Sequence, residues 1–88
     1  MTSLDVIVRG RVQGVGFRWS ARLIAERLGV SGWVRNLPDR SVAAHLEGTA
    51  DQVKEMVEWL HTGPIGATVE SVEVTPATAT GAVGFEIG

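Results

Sequence analysis

The chain has 88 residues, of which 44% are hydrophobic and 20% charged, a balance that is typical of a folded globular protein and unlike that of a disordered or fibrous one. Its 8 basic and 10 acidic residues give a net charge of −2, which argues against a general nucleic-acid binder, because such a protein gains affinity by neutralising phosphates. Cysteine is absent, so disulfides, thiolate metal sites and a cysteine nucleophile are excluded.

The same counts predict a small soluble protein that works without a resident cofactor. Only His45 and His61 are available as histidine ligands, so we do not expect a metal site built on histidine. No apolar run approaches the roughly 20 residues of a membrane-spanning helix, and the N-terminus lacks a secretion signal. We therefore expect a single cytoplasmic domain over residues 1–88, monomeric, with no metal, no cofactor, and neither a membrane nor a nucleic acid as partner.

The first part of the chain is predicted as strand, loop, helix and strand. Apolar side chains alternate with charged ones from Leu4 to Val12, which indicates a half-buried strand. Apolar residues then recur at helical spacing from Ala21 to Leu28, and Gly29 follows as a helix stop. Residues 30–36 read as a second strand.

A turn, a strand and a capped helix come next. Residues 37–40 are typical of a hairpin turn, and residues 41–47 form a third predicted strand. Thr49 and Gln52 have the spacing of a capping box, so a second helix begins there. The dipeptide at 63–64, Gly then Pro, ends that helix.

Strands predicted over 68–75 and 83–87 complete the order β-α-β-β-α-β with an extra terminal β segment. This is the order of the α+β ferredoxin-like fold, an antiparallel sheet with two helices on one face. We expect the opposite face to be left to water. Trp33 would pack on it or serve as a stacking platform, and His45 on the same face and His61 at the end of the second helix would have structural or neutral roles. The fold hosts many unrelated functions, so function has to come from a site.

The loop VQGVGFR at 12–18 carries the signal for an anion site. Gly14 and Gly16 permit backbone angles closed to other residues, so that successive N–H groups can turn inward, and the helix N-terminus that follows favours an anion. Arg18 at that helix start is unfavourable unless something negative lies between it and the helix dipole. A tight turn with a solvated Arg18 explains the loop equally well.

Four strings of the sequence belong together: GRVQGVGFR (10–18), SGWVRN (31–36), EG (47–48) and GP (63–64). In combination they resemble the acylphosphatase family, and the resemblance covers essentially the whole chain. It implies that the chain is an enzyme that hydrolyses acyl phosphates to a carboxylate and inorganic phosphate. Together with the absence of ligand clusters, it implies hydrolysis without a metal.

The resemblance also implies a role for individual residues. The loop would bind the phosphate through Gln13, Gly14, Val15, Gly16, Phe17 and Arg18. Arg18 would be the catalytic cation, and Asn36 would orient the attacking water. Inorganic phosphate and sulfate would then act as inhibitors. From the residue alone, Asn36 is more typical of a strand-end residue whose side chain bonds local backbone.

Two positions depart from the usual family pattern. Trp19 stands where the family often has another aromatic residue, and we expect it to leave the packing intact. Arg40 stands where a glycine is common in the turn. Either Arg40 adopts a left-handed backbone conformation at a cost of about 1 kcal/mol, or the turn differs.

Two other functions fit the predicted fold. RNA-recognition domains share this strand order and stack bases on aromatic residues of the open face, but the third predicted strand, residues 41–47, contains no aromatic residue. The second alternative is an acylphosphatase-like domain that binds acyl or carbamoyl phosphate groups for a partner protein. Turnover of substrate separates that alternative from a free enzyme.

Overall fold

Seven elements follow one another in the computed structural model, which describes all residues from Met1 to Gly88. They are strand β1 (Thr2–Arg11), helix α1 (Phe17–Leu28), strand β2 (Ser31–Asn36), strand β3 (Val42–Gly48), helix α2 (Ala50–Thr62), strand β4 (Thr68–Pro76) and strand β5 (Phe85–Ile87). The predicted order of elements is confirmed, and the predicted strand ends differ from the observed ones by at most two residues.

The five strands form one sheet in the order β4-β1-β3-β2-β5. The pairs β1–β3, β1–β4 and β2–β3 are antiparallel, whereas β5 pairs with β2 in parallel. The predicted antiparallel sheet with a short extra C-terminal strand is therefore confirmed, and the extra strand makes the sheet mixed because it pairs in parallel. The reason is that the chain leaves β4 at one edge, crosses the sheet through residues 77–84, and joins the other edge in the direction of β2.

Both helices pack on one face of the sheet, as predicted, and the core lies between the two layers. Its 15 buried residues come from both helices, from four of the five strands and from two connecting positions, Val12 and Val30. Strands β1, β2 and β3 contribute Val6, Val8, Val34, Val42, Ala44 and Leu46, which meet Ala21, Ala25, Val53, Met56 and Leu60 of the helices. The alternation in the strands and the helical spacing in the helices thus bury one face of each element.

The helix ends follow the sequence signals. Gly29 ends α1 in the left-handed conformation, with φ 80°. At the start of α2, the Thr49 side chain accepts a hydrogen bond from the Gln52 N–H at 3.2 Å, and the Gln52 side chain accepts one from the Thr49 N–H at 2.9 Å. The predicted capping box is confirmed. Neither helix is long and apolar enough to span a membrane.

The sheet face opposite the helices is partly covered, whereas we expected it to be exposed to solvent. The 77–84 loop crosses this face, where the Glu47 carboxylate accepts hydrogen bonds from the Thr80 N–H and the Thr80 hydroxyl at 2.7 Å and from the Ala82 N–H at 3.3 Å. As a result His45 and Glu47 are only 4% and 3% exposed. The alternation in β3 gave the right face for these residues, but nothing in it indicates a covering loop.

His45 connects the strands beneath that loop. Its Nδ1 atom lies 2.7 Å from Asp5 Oδ1 and its Nε2 atom 2.6 Å from Glu47 Oε2, and Trp33 stacks on it with ring centroids 6.0 Å apart. Burial lowers the pKa of His45, but the hydrogen bonds to Glu47 and Asp5 raise that pKa by more, to above its usual 6.5. The hydrogen bonds from His45 and Thr80 lower the pKa of Glu47 to about 2. His45 therefore has the structural role that we expected, because it connects β1 and β3 through the carboxylates of Asp5 and Glu47.

Candidate active site

The loop between β1 and α1 takes up a conformation that depends on its glycines. Gly14 and Gly16 have φ 75° and 74°, in the left-handed region that other residues occupy at a cost. A Cβ atom at either position would meet nothing within 4 Å, so backbone freedom rather than space requires glycine. Gly16 is the N-cap of α1 and provides no side-chain cap. The N–H groups of the first turn of α1 therefore lack a capping side chain and can face an anion.

Strand direction brings Asn36 to this loop. Strands β1 and β2 both pair antiparallel with β3, so they run in the same direction and their C-terminal ends lie at the same end of the sheet. The loop follows the C-terminal end of β1, and Asn36 is the last residue of β2. Residues that are far apart in the sequence thus meet because of the sheet topology.

One cavity of about 200 Å³ lies between the loop, the start of α1 and the end of β2. It is lined by Val12, Gln13, Gly14, Gly16, Phe17, Arg18, Trp19, Asn36 and Ile87. Every predicted site residue except Val15 lines this cavity, and Val15 packs partly buried against the core instead. No aspartate or glutamate lines it, so no fixed negative charge in the lining opposes a bound anion.

Arg18 supplies the positive charge of the cavity. Its Nη1 atom donates a hydrogen bond of 2.7 Å to the carbonyl oxygen of Gly88, and it takes part in no ion pair. A guanidinium has five N–H donors, so this contact leaves others for a bound oxyanion. The contact with Gly88 orients the guanidinium group of Arg18 and leaves its other N–H groups free for a ligand.

Asn36 is exposed, and its carboxamide makes no hydrogen bond within the chain. The side-chain hydrogen bonds of this region belong to Gln13, Arg18 and Asp39. The reading of Asn36 as a residue that bonds local backbone therefore finds no support in the structure. Its C=O and NH₂ groups are available to a ligand in the cavity.

Gln13 has a contact that the sequence did not reveal. Its side-chain Nε2 donates to the carbonyl oxygens of Leu37 and Ser41, both at 2.9 Å. The side chain therefore ties the glycine-rich loop to the turn between β2 and β3, directly beside Asn36. Both acceptors are backbone groups, so residue identities at 37 and 41 carry no signal for this contact.

Two aromatic residues at the start of α1 lie in different surroundings: Phe17 is buried in the core, whereas Trp19 is exposed. Phe17 is 2% exposed, packs on Trp59 with ring centroids 5.5 Å apart, and approaches Gly63 so closely that a Cβ there would lie 2.7 Å from its ring. Trp19 is 60% exposed and lines the cavity rather than the core. The core packing is therefore independent of Trp19, and Phe17 fixes the position of the helix start.

Known proteins resemble this chain over nearly its whole length. The acylphosphatase family model matches residues 4–87. The chain belongs to the acylphosphatase family. It is 61% identical over 83 residues to an acylphosphatase from Rubrobacter xylanophilus, covering 93% of this chain and 76% of that protein. It is 54% identical over 84 residues to one from Trichormus variabilis, covering 96% of this chain and 83% of that protein.

A solved member of the family has the same fold. The crystal structure of acylphosphatase from Bacillus subtilis aligns with a TM-score of 0.97 at 34% identity, covering 100% of this chain and 99% of that one. Family and fold therefore identify the chain as a hydrolase of acyl phosphates with a ferredoxin-like fold. No group of three or more histidine, aspartate or glutamate side chains is placed to hold a metal ion.

Proposed function

We propose that this acylphosphatase-family chain hydrolyses acyl phosphates to a carboxylate and inorganic phosphate in the cavity between the glycine-rich loop and Asn36. The single observation that carries the proposal is the meeting of three groups around one cavity without acidic side chains: the uncapped N-terminus of α1, the Arg18 guanidinium and the Asn36 carboxamide. One copy of the chain supplies all of them, so we propose a monomer as the active form.

The phosphate of the substrate is bound by the loop and by Arg18. Backbone N–H groups of residues 13–18 donate to the phosphate oxygens, and the helix dipole adds a favourable field. Arg18 binds the same oxygens through charge-assisted hydrogen bonds, which are shorter and stronger than neutral ones. The bound phosphate thus supplies the negative charge that offsets the repulsion between the Arg18 guanidinium and the positive end of the helix dipole.

Asn36 positions the water. Its carbonyl oxygen accepts a hydrogen bond from the water while its NH₂ group donates to the phosphate, so one side chain orients both partners. The water oxygen forms a bond to phosphorus, the bond from phosphorus to the acyl oxygen breaks, and the electron pair leaves with the carboxylate. The water proton passes to a phosphate oxygen or to solvent.

Neither a general acid nor a metal is needed for this step. The leaving carboxylate has a conjugate acid with a pKa of about 4, so it departs without protonation at neutral pH. Phosphoryl transfer of this kind requires mainly positioning and charge stabilisation around the equatorial oxygens. The loop, Arg18 and Asn36 supply both.

The proposal is tested by measuring phosphate release from benzoyl phosphate and from phenyl phosphate, each with and without a metal chelator. We expect turnover of benzoyl phosphate that the chelator does not change, and no comparable turnover of phenyl phosphate, whose leaving group is a poor one without an acid. Activity that the chelator abolishes and a divalent ion restores would contradict metal-independent hydrolysis. Equal turnover of both substrates would contradict the acyl phosphate specificity.

A further inference from the structure

A second cavity adjoins the candidate active site. Its volume is about 400 Å³, and it is lined by Gly10, Arg11, Val12, Gln13, Gly14 and Arg40. Three of these residues, Val12, Gln13 and Gly14, also line the candidate active site. The two cavities therefore lie side by side on the glycine-rich loop, and the second holds two arginines and no acidic residue.

The two arginines are not neutralised within the chain. Arg9 pairs with Glu73 at 3.0 Å and Arg22 with Glu26 at 3.5 Å, whereas Arg11 and Arg40 belong to no ion pair. Acidic residues do line a neighbouring cavity together with them, namely Asp39 and Glu70. Asp39, however, accepts hydrogen bonds from the N–H and hydroxyl groups of Ser41. Neither Asp39 nor Glu70 forms an ion pair with Arg11 or Arg40, so both guanidinium groups keep free N–H donors beside the phosphate loop.

Arg40 is held in an unfavourable backbone conformation. It is the one residue other than glycine with a positive φ, at 75°, where a Cβ atom costs about 1 kcal/mol. The Arg40 N–H donates to the Leu37 carbonyl at 3.1 Å, the same oxygen to which the Gln13 side chain donates. The strained turn is therefore fixed to the phosphate loop. Strain of this kind is concentrated at functional positions.

We infer that Arg11 and Arg40 form a second anion subsite, which binds a carboxylate carried by the acyl group of the substrate. Guanidinium groups match a carboxylate in a planar, bidentate geometry. The substrate class would be acyl phosphates of dicarboxylic acids, with the phosphate on the loop and the far carboxylate between the two arginines. This inference rests on the proposed function, because it concerns the acyl end of the same substrate.

The test compares succinyl phosphate with butyryl phosphate, which has the same chain length but ends in a methyl group. In the wild type, the ratio of kcat/KM for succinyl phosphate to that for butyryl phosphate should fall as salt is added, because exposed charges are screened. Arg11→Gln and Arg40→Gln should each lower this ratio by about 2- to 5-fold, the upper range for an exposed charge pair. Both are exposed surface changes, and the denaturant midpoint confirms folding.

Arg27→Gln is the matched control, since it removes the same charge from an exposed position of α1 that lines neither cavity. It should leave the ratio at the wild-type value. The subsite is refuted if wild type, Arg11→Gln and Arg40→Gln share one ratio, or if Arg27→Gln lowers it as much. Absence of turnover of both substrates by the wild type would instead overturn the proposed function, and the subsite with it.

Discussion

At the scale of single residues, Arg40 shows how one backbone angle connects sequence and stability. The sequence left two possibilities open, a left-handed Arg40 or a different turn, and the observed φ of 75° confirms the first. The position could be recognised from the sequence because a hairpin turn commonly needs glycine there. The unpaired charge beside the phosphate loop could not, because it depends on where the turn packs.

Replacing Arg40 with glycine should therefore stabilise the fold. Arg40→Gly removes the Cβ atom that makes a positive φ unfavourable, and we expect the free energy of unfolding to rise by roughly 0.5–1 kcal/mol. The measurement is the denaturant midpoint. Arg40→Ala keeps the Cβ atom and removes the rest of the side chain, so it should show no such gain. An unchanged or lower midpoint for Arg40→Gly would mean that the turn holds Arg40 without strain.

The side-chain contacts of Gln13 could not be predicted from the sequence. Its side chain satisfies two backbone carbonyls in the turn that follows Asn36, so Gln13→Ala should lower the free energy of unfolding by about 1–2 kcal/mol. The same change should lower kcat more than it weakens inhibition by phosphate, because the turn that follows Asn36 becomes loose while the loop N–H groups remain. Loss of stability with unaltered kcat would assign Gln13 a purely structural role.

At the scale of elements, the strands and helices follow from periodicity, whereas the covering of the sheet does not. The residues of the 77–84 loop are small, mostly alanine, threonine and glycine, so nothing in them indicates that they would cross the sheet and bond to Glu47. The parallel pairing of β5 has the same origin, because a strand of 3 residues takes its direction from the loop before it. Buried charge in β3 therefore becomes understandable only from the structure.

The cluster of Asp5, His45 and Glu47 makes stability depend on pH in both directions. Glu47 has its pKa lowered from 4.5 to about 2, so its contribution to the free energy of unfolding is present above pH 4.5 and is lost as the pH falls towards 2. His45 has its pKa raised above 6.5, so its contribution is present below 6.5 and is lost as the pH rises through the raised value. The two contributions coexist between about 4.5 and 6.5.

The free energy of unfolding, measured by urea denaturation, should accordingly decline on the alkaline side of 6.5 in the wild type. His45→Gln should remove most of this decline, because glutamine does not titrate. His61→Gln serves as the control, since His61 lies at the exposed end of α2 and does not contact the cluster. A parallel alkaline decline in wild type and His45→Gln would contradict the assignment.

At the scale of the whole molecule, the features of the candidate site that depend on neighbouring residues can be predicted from the sequence, whereas those that depend on tertiary packing cannot. The glycine conformations of the loop and the start of α1 follow from residues 12–18 alone. The approach of Asn36 follows from the topology, because β1 and β2 must run in the same direction when both flank β3 antiparallel. The Gln13 tether and the Arg11–Arg40 pair require the packing of the turn against the loop, which no local pattern encodes.

The central claim is that Arg18 holds the phosphate and Asn36 places the water, and these roles differ in their kinetics. The decisive measurement is turnover of benzoyl phosphate together with its inhibition by inorganic phosphate and sulfate, in the wild type, Arg18→Ala, Arg18→Lys and Asn36→Ala. In the wild type both anions should compete with the substrate for the loop, and purely noncompetitive inhibition would place the anion elsewhere.

Arg18→Ala should both weaken inhibition and lower kcat, and Arg18→Lys should recover little, because an ammonium lacks the planar pair of donors. Asn36→Ala should lower kcat by at least about 10²-fold, the scale of losing one preorganised polar group, while inhibition by phosphate stays near the wild-type value. Near-normal kcat in Asn36→Ala, or an equal loss of phosphate affinity in Arg18→Ala and Asn36→Ala, would contradict this division of roles.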